Sequence, residues 1–181
     1  MASNSFKLIP GTQFPKIILP TISGNEINLQ SNGEVKLIVI YRGQFCPFCV
    51  ATLDQIQEKL SKLNELNIKV IAVSADPVDV TKEFVAKKGY TFPFASNLTV
   101  DNIRQLGLYL SDPTNYIPQT YSFSEPAYFL VEEDNSIRYV DVSSHPFGGR
   151  VNVDYLVNGY KWVKSNIIDH PEFKHVVWGS K

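Results

Sequence analysis

Two short apolar runs separated by an amphipathic segment constrain the fold of this chain most. Lys36–Tyr41 is rich in β-branched residues and predicts a buried strand, and Val70–Ser74 predicts a second one. Between them, Ala51–Leu66 repeats apolar residues at helical spacing. Strand, helix and strand in this order predict a βαβ unit, with parallel strands and a right-handed crossover. The chain is therefore predicted to be an α/β protein.

Further elements extend the same sheet. Helices are predicted at Asp79–Lys88, Thr99–Leu106 and Val153–Lys164, strands at Ala127–Val131 and Ile137–Val142, and a loop at Ser111–Ser124. This order favours a central mixed β-sheet with helices on both faces. Because the 181 residues contain no linker or repeat, we expect one domain, 1–181. It includes an extended arm over 1–30, with a hairpin turn at Gly24-Asn25, and a tail over 166–181.

Composition and charge narrow the classes of function. The chain has 17 Lys and Arg residues against 18 Asp and Glu residues, a formal net charge of -1, which argues against a nucleic-acid binder. No apolar run approaches the ~20 residues that a transmembrane helix needs. The N-terminal residues also lack the pattern of a secretory signal peptide. We therefore expect a cytoplasmic protein with no nucleic-acid or membrane partner.

The chemical centre of the sequence is Cys46-Pro47-Phe48-Cys49, which holds the only two cysteines of the chain. It follows a predicted buried strand and begins the next helix, a position where α/β proteins place their sites. A helix N-terminus favours negative charge, so a thiol there loses its proton more readily. Two cysteines three residues apart can also close a disulfide. A C-x-x-C motif beside a βαβ unit thus indicates a redox-active pair.

Two other interpretations of the pair stay open at this point. Both cysteines would also suit the core of an ordinary α/β protein. Alternatively, Cys46 and Cys49 together with His170 and His175 loosely match the ligand types of a zinc site. Most of the chain separates the two pairs, and a zinc site requires all four ligands to meet in space.

Several segments together resemble a known family. They are Pro10–Pro15, Tyr41–Cys49, Val73–Pro77, Tyr90–Ser96 and Pro146–Arg150, in this order. The set resembles the peroxiredoxin-like branch of the alkyl hydroperoxide reductase/thiol-specific antioxidant family. The resemblance implies a thioredoxin-like fold, a thiol-dependent peroxidase activity and an antioxidant role. Members of the family often form dimers, so a homodimer is compatible with the resemblance.

The resemblance also implies roles for individual residues. Peroxiredoxins have a proline, then a threonine or serine, then the peroxide-reactive cysteine three residues on. The match places that cysteine at Cys49, puts Cys46 at the hydroxyl position and Arg42 at the proline position. Cys49 would attack a small peroxide, and Cys46 would resolve the product into a disulfide. An external thioredoxin- or glutathione-type thiol would then reduce the disulfide, and no bound cofactor is needed.

Charged residues near the pair complete the predicted catalytic set. Arg150, in the late loop, would lower the pKa of the attacking thiol and hold the peroxide oxygens. Arg42 is a second candidate for the same role, although a surface salt bridge explains it equally well.

Other residues of the predicted site would contact the substrate. They are Phe45, Pro47 and Phe48, which flank the cysteines, and Pro126. Pro126 precedes a strand and resembles the proline that faces the C-x-x-C motif in thioredoxins, so we expect a cis peptide bond there.

The same motif supports other functions. A thioredoxin-like thiol–disulfide oxidoreductase would use Cys46 as the nucleophile against protein disulfides. A non-catalytic binding module of the same fold would have an unreactive thiol or a bound metal. Substituting each cysteine in turn, or assaying metal, distinguishes these functions from a peroxidase.

Overall fold

A computed structural model describes residues 7–117 and 119–181. The strands are β1 (Ile18–Pro20), β2 (Glu26–Asn28), β3 (Val35–Ile40), β4 (Ile68–Val73), β5 (Phe94–Ala95), β6 (Leu110–Ser111), β7 (Phe123–Ser124), β8 (Ala127–Val131) and β9 (Ile137–Val142). The helices are α1 (Pro47–Glu58), α2 (Leu60–Asn64), α3 (Val78–Lys88), α4 (Val100–Gln105) and α5 (Val153–Val163), followed by a π-helical turn at Lys164–Ile168.

The central sheet is mixed and has the strand order β5-β4-β3-β8-β9. β3 pairs in parallel with β4 and antiparallel with β8, so it lies in the middle of the sheet. All six of its residues are buried. This agrees with the apolar composition that predicted a strand covered on both faces. Because β3 is central, the loop that follows it lies near the middle of the sheet, at the carboxyl end of the strand.

Each face of the sheet carries its own hydrophobic core. Leu37 and Val39 of β3 point to one side, where α1, α2, α3 and α5 pack. Ile38 and Ile40 point to the other side, which is covered by the N-terminal arm and α4. The alternation follows from the two-residue period of a strand. The predicted mixed sheet with helices on both faces is confirmed.

The described part of the N-terminal arm and the C-terminal tail both contact edge strand β9, the tail through the Val176 carbonyl, which accepts from Arg138 Nη1 at 3.1 Å. β1 and β2 form the predicted hairpin, with Gly24 at a positive φ of 86° in its turn. The arm reaches the edge strand β9, where the Gly11 amide donates to the Ile137 carbonyl at 2.8 Å. The predicted arm also included residues 1–6, which lie outside the described residues. Within the described ranges, no helix is long and apolar enough to cross a membrane.

Two of the predicted segments differ clearly from the structure. The predicted helix Ala51–Leu66 begins earlier, at Pro47, and divides at Lys59, which leaves helical geometry with ψ of 14°. Proline suits the first helical turn because its missing N–H has no intrahelical partner there. The predicted loop Ser111–Ser124 contains strand residues at both ends, since β6 and β7 pair antiparallel. Two-residue strands carry too little periodicity to be recognised in a sequence.

Candidate active site

The C-x-x-C motif lies where β3 ends and α1 begins. Cys46 is the N-cap residue of α1, with extended backbone geometry, and Pro47 is the first helical residue. The Cys46 amide donates to the Gly43 carbonyl at 3.2 Å, which tightens the loop between strand and helix. The Cys49 amide, in the first helical turn, is directed at Cys46 and favours an anion there.

A buried carboxylate, Asp76, is hydrogen-bonded to the active-site loop. Asp76, which follows β4, accepts a hydrogen bond from the Gln44 amide at 2.8 Å and one from the Tyr121 hydroxyl at 2.7 Å. Burial raises the pKa of Asp76, and these two donors oppose that shift. The loop can approach Asp76 this closely because residue 43 is a glycine with φ of 147°. A Cβ atom there would lie 2.7 Å from Asp76 Oδ1 and 2.7 Å from Phe45 Cε1.

Gly43→Ala is therefore expected to destabilise the protein by about 2–4 kcal/mol, since it combines a strained φ with a steric clash. The measurement is urea-induced unfolding of the reduced protein. Gly33→Ala is the matched control, because Gly33 also has a positive φ, of 92°, but a Cβ atom there meets no neighbour within 4 Å. Equal losses in the two variants would contradict the proposed close approach to Asp76.

The two thiols are free, buried and adjacent. Cys46 is 1% exposed and Cys49 is fully buried, and the residues approach each other to within 3.1 Å. The backbone N–H of Arg42 donates to Cys49 Sγ at 3.4 Å. Donors directed at a sulfur favour its anionic form. The pair can therefore close a disulfide without movement of a distant segment.

The two thiols have opposite pKa shifts. The pKa of the Cys46 thiol is lowered to about 5, chiefly by a hydrogen bond from the Cys49 thiol, with help from the Cys49 amide, Arg42 and Arg150. The same hydrogen bond, together with burial, raises the pKa of Cys49. The hydrogen bond therefore favours a pair that shares one proton, with the negative charge directed toward Cys46.

Arg150 contacts both sulfurs. Its Nη2 lies 3.7 Å from Cys46 Sγ and 3.5 Å from Cys49 Sγ, while its Nη1 donates to Thr52 Oγ1 at 3.2 Å. The carbonyl of Pro146 accepts from both Nε and Nη2, which fixes the plane of the guanidinium. The late loop thus brings the predicted arginine to the cysteines.

Arg42 also approaches Cys46. Its Nη1 is 4.0 Å from Cys46 Sγ, and its Nε is 3.2 Å from Glu125 Oε2. The Arg42 and Glu125 side chains are only 12% and 5% exposed, so this is a buried ion pair. Arg42 therefore approaches the reactive pair and forms a salt bridge at the same time. The salt bridge is buried, whereas the sequence suggested one on the surface.

The predicted substrate-contacting residues separate into two groups. Pro47 and Phe48 are exposed, and Phe48 forms an edge-to-face pair with Phe147 at 5.0 Å between ring centroids. Phe45 instead turns inward and packs on the buried Phe123 at 5.1 Å. The exposed pair therefore faces any partner that reaches the motif, while Phe45 belongs to the wall behind Arg42.

The expected cis peptide bond at Pro126 is not found, since the described residues contain no cis peptide bond. The trans form of an X–Pro bond is favoured by ~0.5–1 kcal/mol. In this form the Pro126 carbonyl accepts from the Ser143 amide at 3.0 Å and faces Gly149, where a Cβ atom would clash with it. Pro126 nevertheless lines a cavity of about 10 Å³ together with Cys49, Thr52 and Arg150.

The zinc interpretation receives no support from the side chains present. Within residues 7–117 and 119–181, no group of three or more His, Cys, Asp or Glu side chains converges as a metal site. His170 stacks on Phe173 in the tail, with 4.3 Å between ring centroids. The cysteine pair and the tail histidines therefore do not form a ligand set.

Sequence reasoning missed Thr52, Asp76 and Glu125. Thr52 could have been found, because it follows Cys49 by three residues and so lies on the same face of the helix. Asp76 lies within a segment of the family resemblance but carries no local signal of its contact with Gln44. Glu125 gives no signal at all, because only tertiary folding brings it to Arg42.

Comparison with known sequences agrees with this geometry. A sequence model of the AhpC/TSA family matches residues 10–140. Two putative peroxiredoxins of Mycobacterium tuberculosis, from strains CDC 1551 and H37Rv, are each 24% identical over 132 residues. These alignments cover 72% of this chain and 83% of each relative.

Comparison with solved structures gives the same fold. Peroxidoxin BcpB of Mycobacterium tuberculosis superposes with a TM-score of 0.72 at 15% identity, covering 86% of this chain and 98% of that one. A peroxiredoxin-like protein of Aquifex aeolicus superposes with a TM-score of 0.72 at 18% identity, covering 87% and 88%. The predicted thioredoxin-like fold is thereby confirmed.

Proposed function

This chain belongs to the AhpC/TSA family and is an oxidoreductase of the peroxiredoxin type, and we propose that it reduces hydrogen peroxide or small hydroperoxides through a Cys46–Cys49 dithiol–disulfide cycle. The observation that carries the proposal is the placement of two free thiols within 3.1 Å of each other under the Arg150 guanidinium. A thiolate beside a fixed cation is the activated nucleophile that peroxide reduction requires.

The first step oxidises Cys49. Its proton passes to the adjacent Cys46 thiolate, and the Cys49 thiolate then attacks one peroxide oxygen. An S–O bond forms while the O–O bond breaks, so that Cys49 loses two electrons and becomes a sulfenic acid. The leaving hydroxide takes the proton held by Cys46 and departs as water. Arg150 donates to the sulfur and, through its remaining N–H groups, to the oxygens in the transition state.

The second step closes the disulfide. The Cys46 thiolate attacks the Cys49 sulfur, an S–S bond forms, and the S–O bond breaks. The hydroxide that leaves takes a proton from solvent. An external dithiol then reduces the disulfide by thiol–disulfide exchange and supplies the two electrons for the next turnover. The cycle therefore needs no bound cofactor, because the thiols carry both electrons.

The cavity beside Cys49 supports a small substrate. Its volume of about 10 Å³ is close to the space that one water molecule needs. Cys49, Thr52 and Arg150 line it, so a peroxide oxygen placed there contacts the proposed attacking sulfur and the cation together. One peroxide oxygen matches this space, so the second oxygen and any substituent on it must lie outside the cavity or displace its walls.

The exposed surface around the motif supports a protein dithiol as the reductant. Pro47, Phe48 and Phe147 present apolar area beside the disulfide position, with Phe48 48% and Phe147 65% exposed. A thioredoxin-type protein can cover such a surface, while the two carboxylates of glutathione would gain little from it. The cycle suits a reducing compartment such as the cytoplasm, where such reductants keep thiols reduced.

Phe48→Ala is expected to slow turnover with a thioredoxin-type protein roughly fivefold to thirtyfold, because an aromatic contact at the centre of an interface contributes ~1–2 kcal/mol. Turnover with a small dithiol such as dithiothreitol should be unchanged. Phe173→Ala removes a comparably exposed ring from the tail and serves as the control. Equal slowing with both reductants would refute a docking role for Phe48.

The proposed activity is tested by steady-state consumption of hydrogen peroxide with thioredoxin and its reductase. We expect one peroxide consumed for each reductant disulfide formed, and no turnover when both cysteines are replaced by serine. Reduction of insulin disulfides is measured in parallel. Fast insulin reduction without peroxide turnover would contradict the peroxidase.

One observation favours the second candidate, a thiol–disulfide oxidoreductase. Cys46 is the N-cap residue and its thiol pKa is lowered, as expected for the nucleophile of a thioredoxin-like oxidoreductase. That function would make Cys46, not Cys49, the residue whose loss abolishes the first chemical step. The same insulin assay therefore separates the two candidates.

A further inference from the structure

The Arg42 guanidinium is held between two aromatic rings and a carboxylate. Its Cζ lies 4.9 Å from the centroid of the Phe123 ring and 5.5 Å from that of Phe45. The carboxylate is Glu125, with Oε2 3.2 Å from Nε. A guanidinium stacked in this way is restricted to few orientations. Arg42 is therefore a fixed cation and not a mobile surface side chain.

Glu125 is itself held in place. Its Oε1 accepts a hydrogen bond from the Ser111 hydroxyl at 2.7 Å, and its amide donates to the Tyr109 carbonyl at 2.8 Å. The small β6–β7 sheet thus carries the carboxylate to Arg42. Neither Arg42 Nε nor Glu125 Oε2 has a hydrogen-bond partner among the described residues, so their contact is ionic. Burying such a pair costs desolvation energy that its attraction only partly returns.

The other end of Arg42 faces the reactive pair. Its Nη1 lies 4.0 Å from Cys46 Sγ. The charged and titratable groups around that sulfur are Cys49 on its own helix, Arg42 on the preceding loop and Arg150 on the late loop, with Glu125 behind Arg42. Glu125 reaches the sulfur only through the guanidinium, so it does not touch the reacting atoms.

We propose that Glu125 is a positioning residue, which orients the Arg42 guanidinium so that it stabilises the Cys46 thiolate. This proposal rests on the dithiol cycle described above. Glu125 acts by orientation and not by charge, because its own negative charge repels a thiolate. The two effects have opposite signs. Loss of the negative charge alone would lower the pKa of Cys46, whereas loss of the orientation would raise it.

The test is titration of the thiolate by its ultraviolet absorbance in the reduced protein, for Glu125→Gln, Arg42→Met and the double variant. We expect Glu125→Gln to raise the pKa of Cys46 by about one unit, a tenfold gain in proton affinity. Arg42→Met should raise it at least as much. In the Arg42→Met background, Glu125→Gln should cause no further increase, since only the loss of its negative charge then remains.

A lowered or unchanged pKa of Cys46 in Glu125→Gln would overturn the proposal. It would also be overturned if Glu125→Gln raised that pKa equally in the wild-type and Arg42→Met backgrounds. Ser111→Ala is the second variant, because it frees the carboxylate without changing any charge, and it should shift the pKa upward by a smaller amount. Glu132→Gln breaks another buried ion pair, with Arg138, and should leave the titration unchanged. The titration uses no peroxide, so it can be interpreted whether or not the peroxidase assay succeeds.

Discussion

The Cys49→Ser protein is expected to stay unoxidised when one equivalent of hydrogen peroxide is added, whereas Cys46→Ser should gain one oxygen atom. The Cys46→Ser change places a hydroxyl three residues before Cys49, which restores the pattern that the family resemblance implies. Cys49 keeps the Arg42 amide and Arg150 as donors in that variant. Intact mass spectrometry after rapid quenching distinguishes an added oxygen from the loss of two hydrogens expected for the wild type.

The reverse pattern would contradict the proposed roles. If Cys49→Ser is oxidised at the wild-type rate and Cys46→Ser is inert, Cys46 is the peroxide nucleophile. The protein with both cysteines replaced is the control for oxidation at other side chains. Because the hydrogen bond from Cys49 lowers the pKa of Cys46, this result would favour thiol–disulfide exchange as the function.

The Arg150→Met protein is expected to react with hydrogen peroxide about 10²–10³-fold more slowly, the cost of losing a fixed donor to developing negative charge. Arg150 contacts both sulfurs and Thr52, so its loss removes the cation and opens the wall of the cavity beside Cys49. Arg150→Lys should recover only part of the rate, because an ammonium cannot reproduce the planar set of donors. Stopped-flow fluorescence of single-turnover oxidation measures both variants.

The pH dependence separates two roles of Arg150. If the guanidinium only lowers the thiol pKa, raising the pH will restore the rate of Arg150→Met to that of the wild type. We expect a deficit to persist at high pH, because Arg150 also holds the peroxide oxygens in the transition state. Arg104→Met removes an exposed arginine paired with Asp101 and should react like the wild type. Full recovery at high pH would limit Arg150 to an effect on the pKa.

The sequence was sufficient to predict the elements that carry long local patterns. Ala127–Val131 and Ile137–Val142 are strands with the predicted bounds, and the predicted helix Asp79–Lys88 ends where predicted, because Gly89 caps α3 in left-handed geometry. These features depend on the alternation of apolar residues or on one glycine, both of which can be recognised within a few residues. The position of the cysteines at a strand end was predictable for the same reason.

The surroundings of the thiols could not be predicted from local patterns. Glu125 follows Arg42 by more than eighty residues, and Asp76 reaches Gln44 from a different strand. Ser143 and Gly149, which come from later in the chain, meet at the Pro126 carbonyl. Such contacts result from tertiary packing, which a single sequence does not display.

The most direct test of the account is the single-turnover rate of wild-type oxidation by hydrogen peroxide across the neutral pH range. We predict a rate roughly a thousandfold or more above that of a free thiol, from the combined effect of the fixed donors. It should depend little on pH, because the pair already holds one thiolate above about pH 5. A rate equal to that of a free thiol, rising with pH as an ordinary thiol ionises, would contradict the peroxidase.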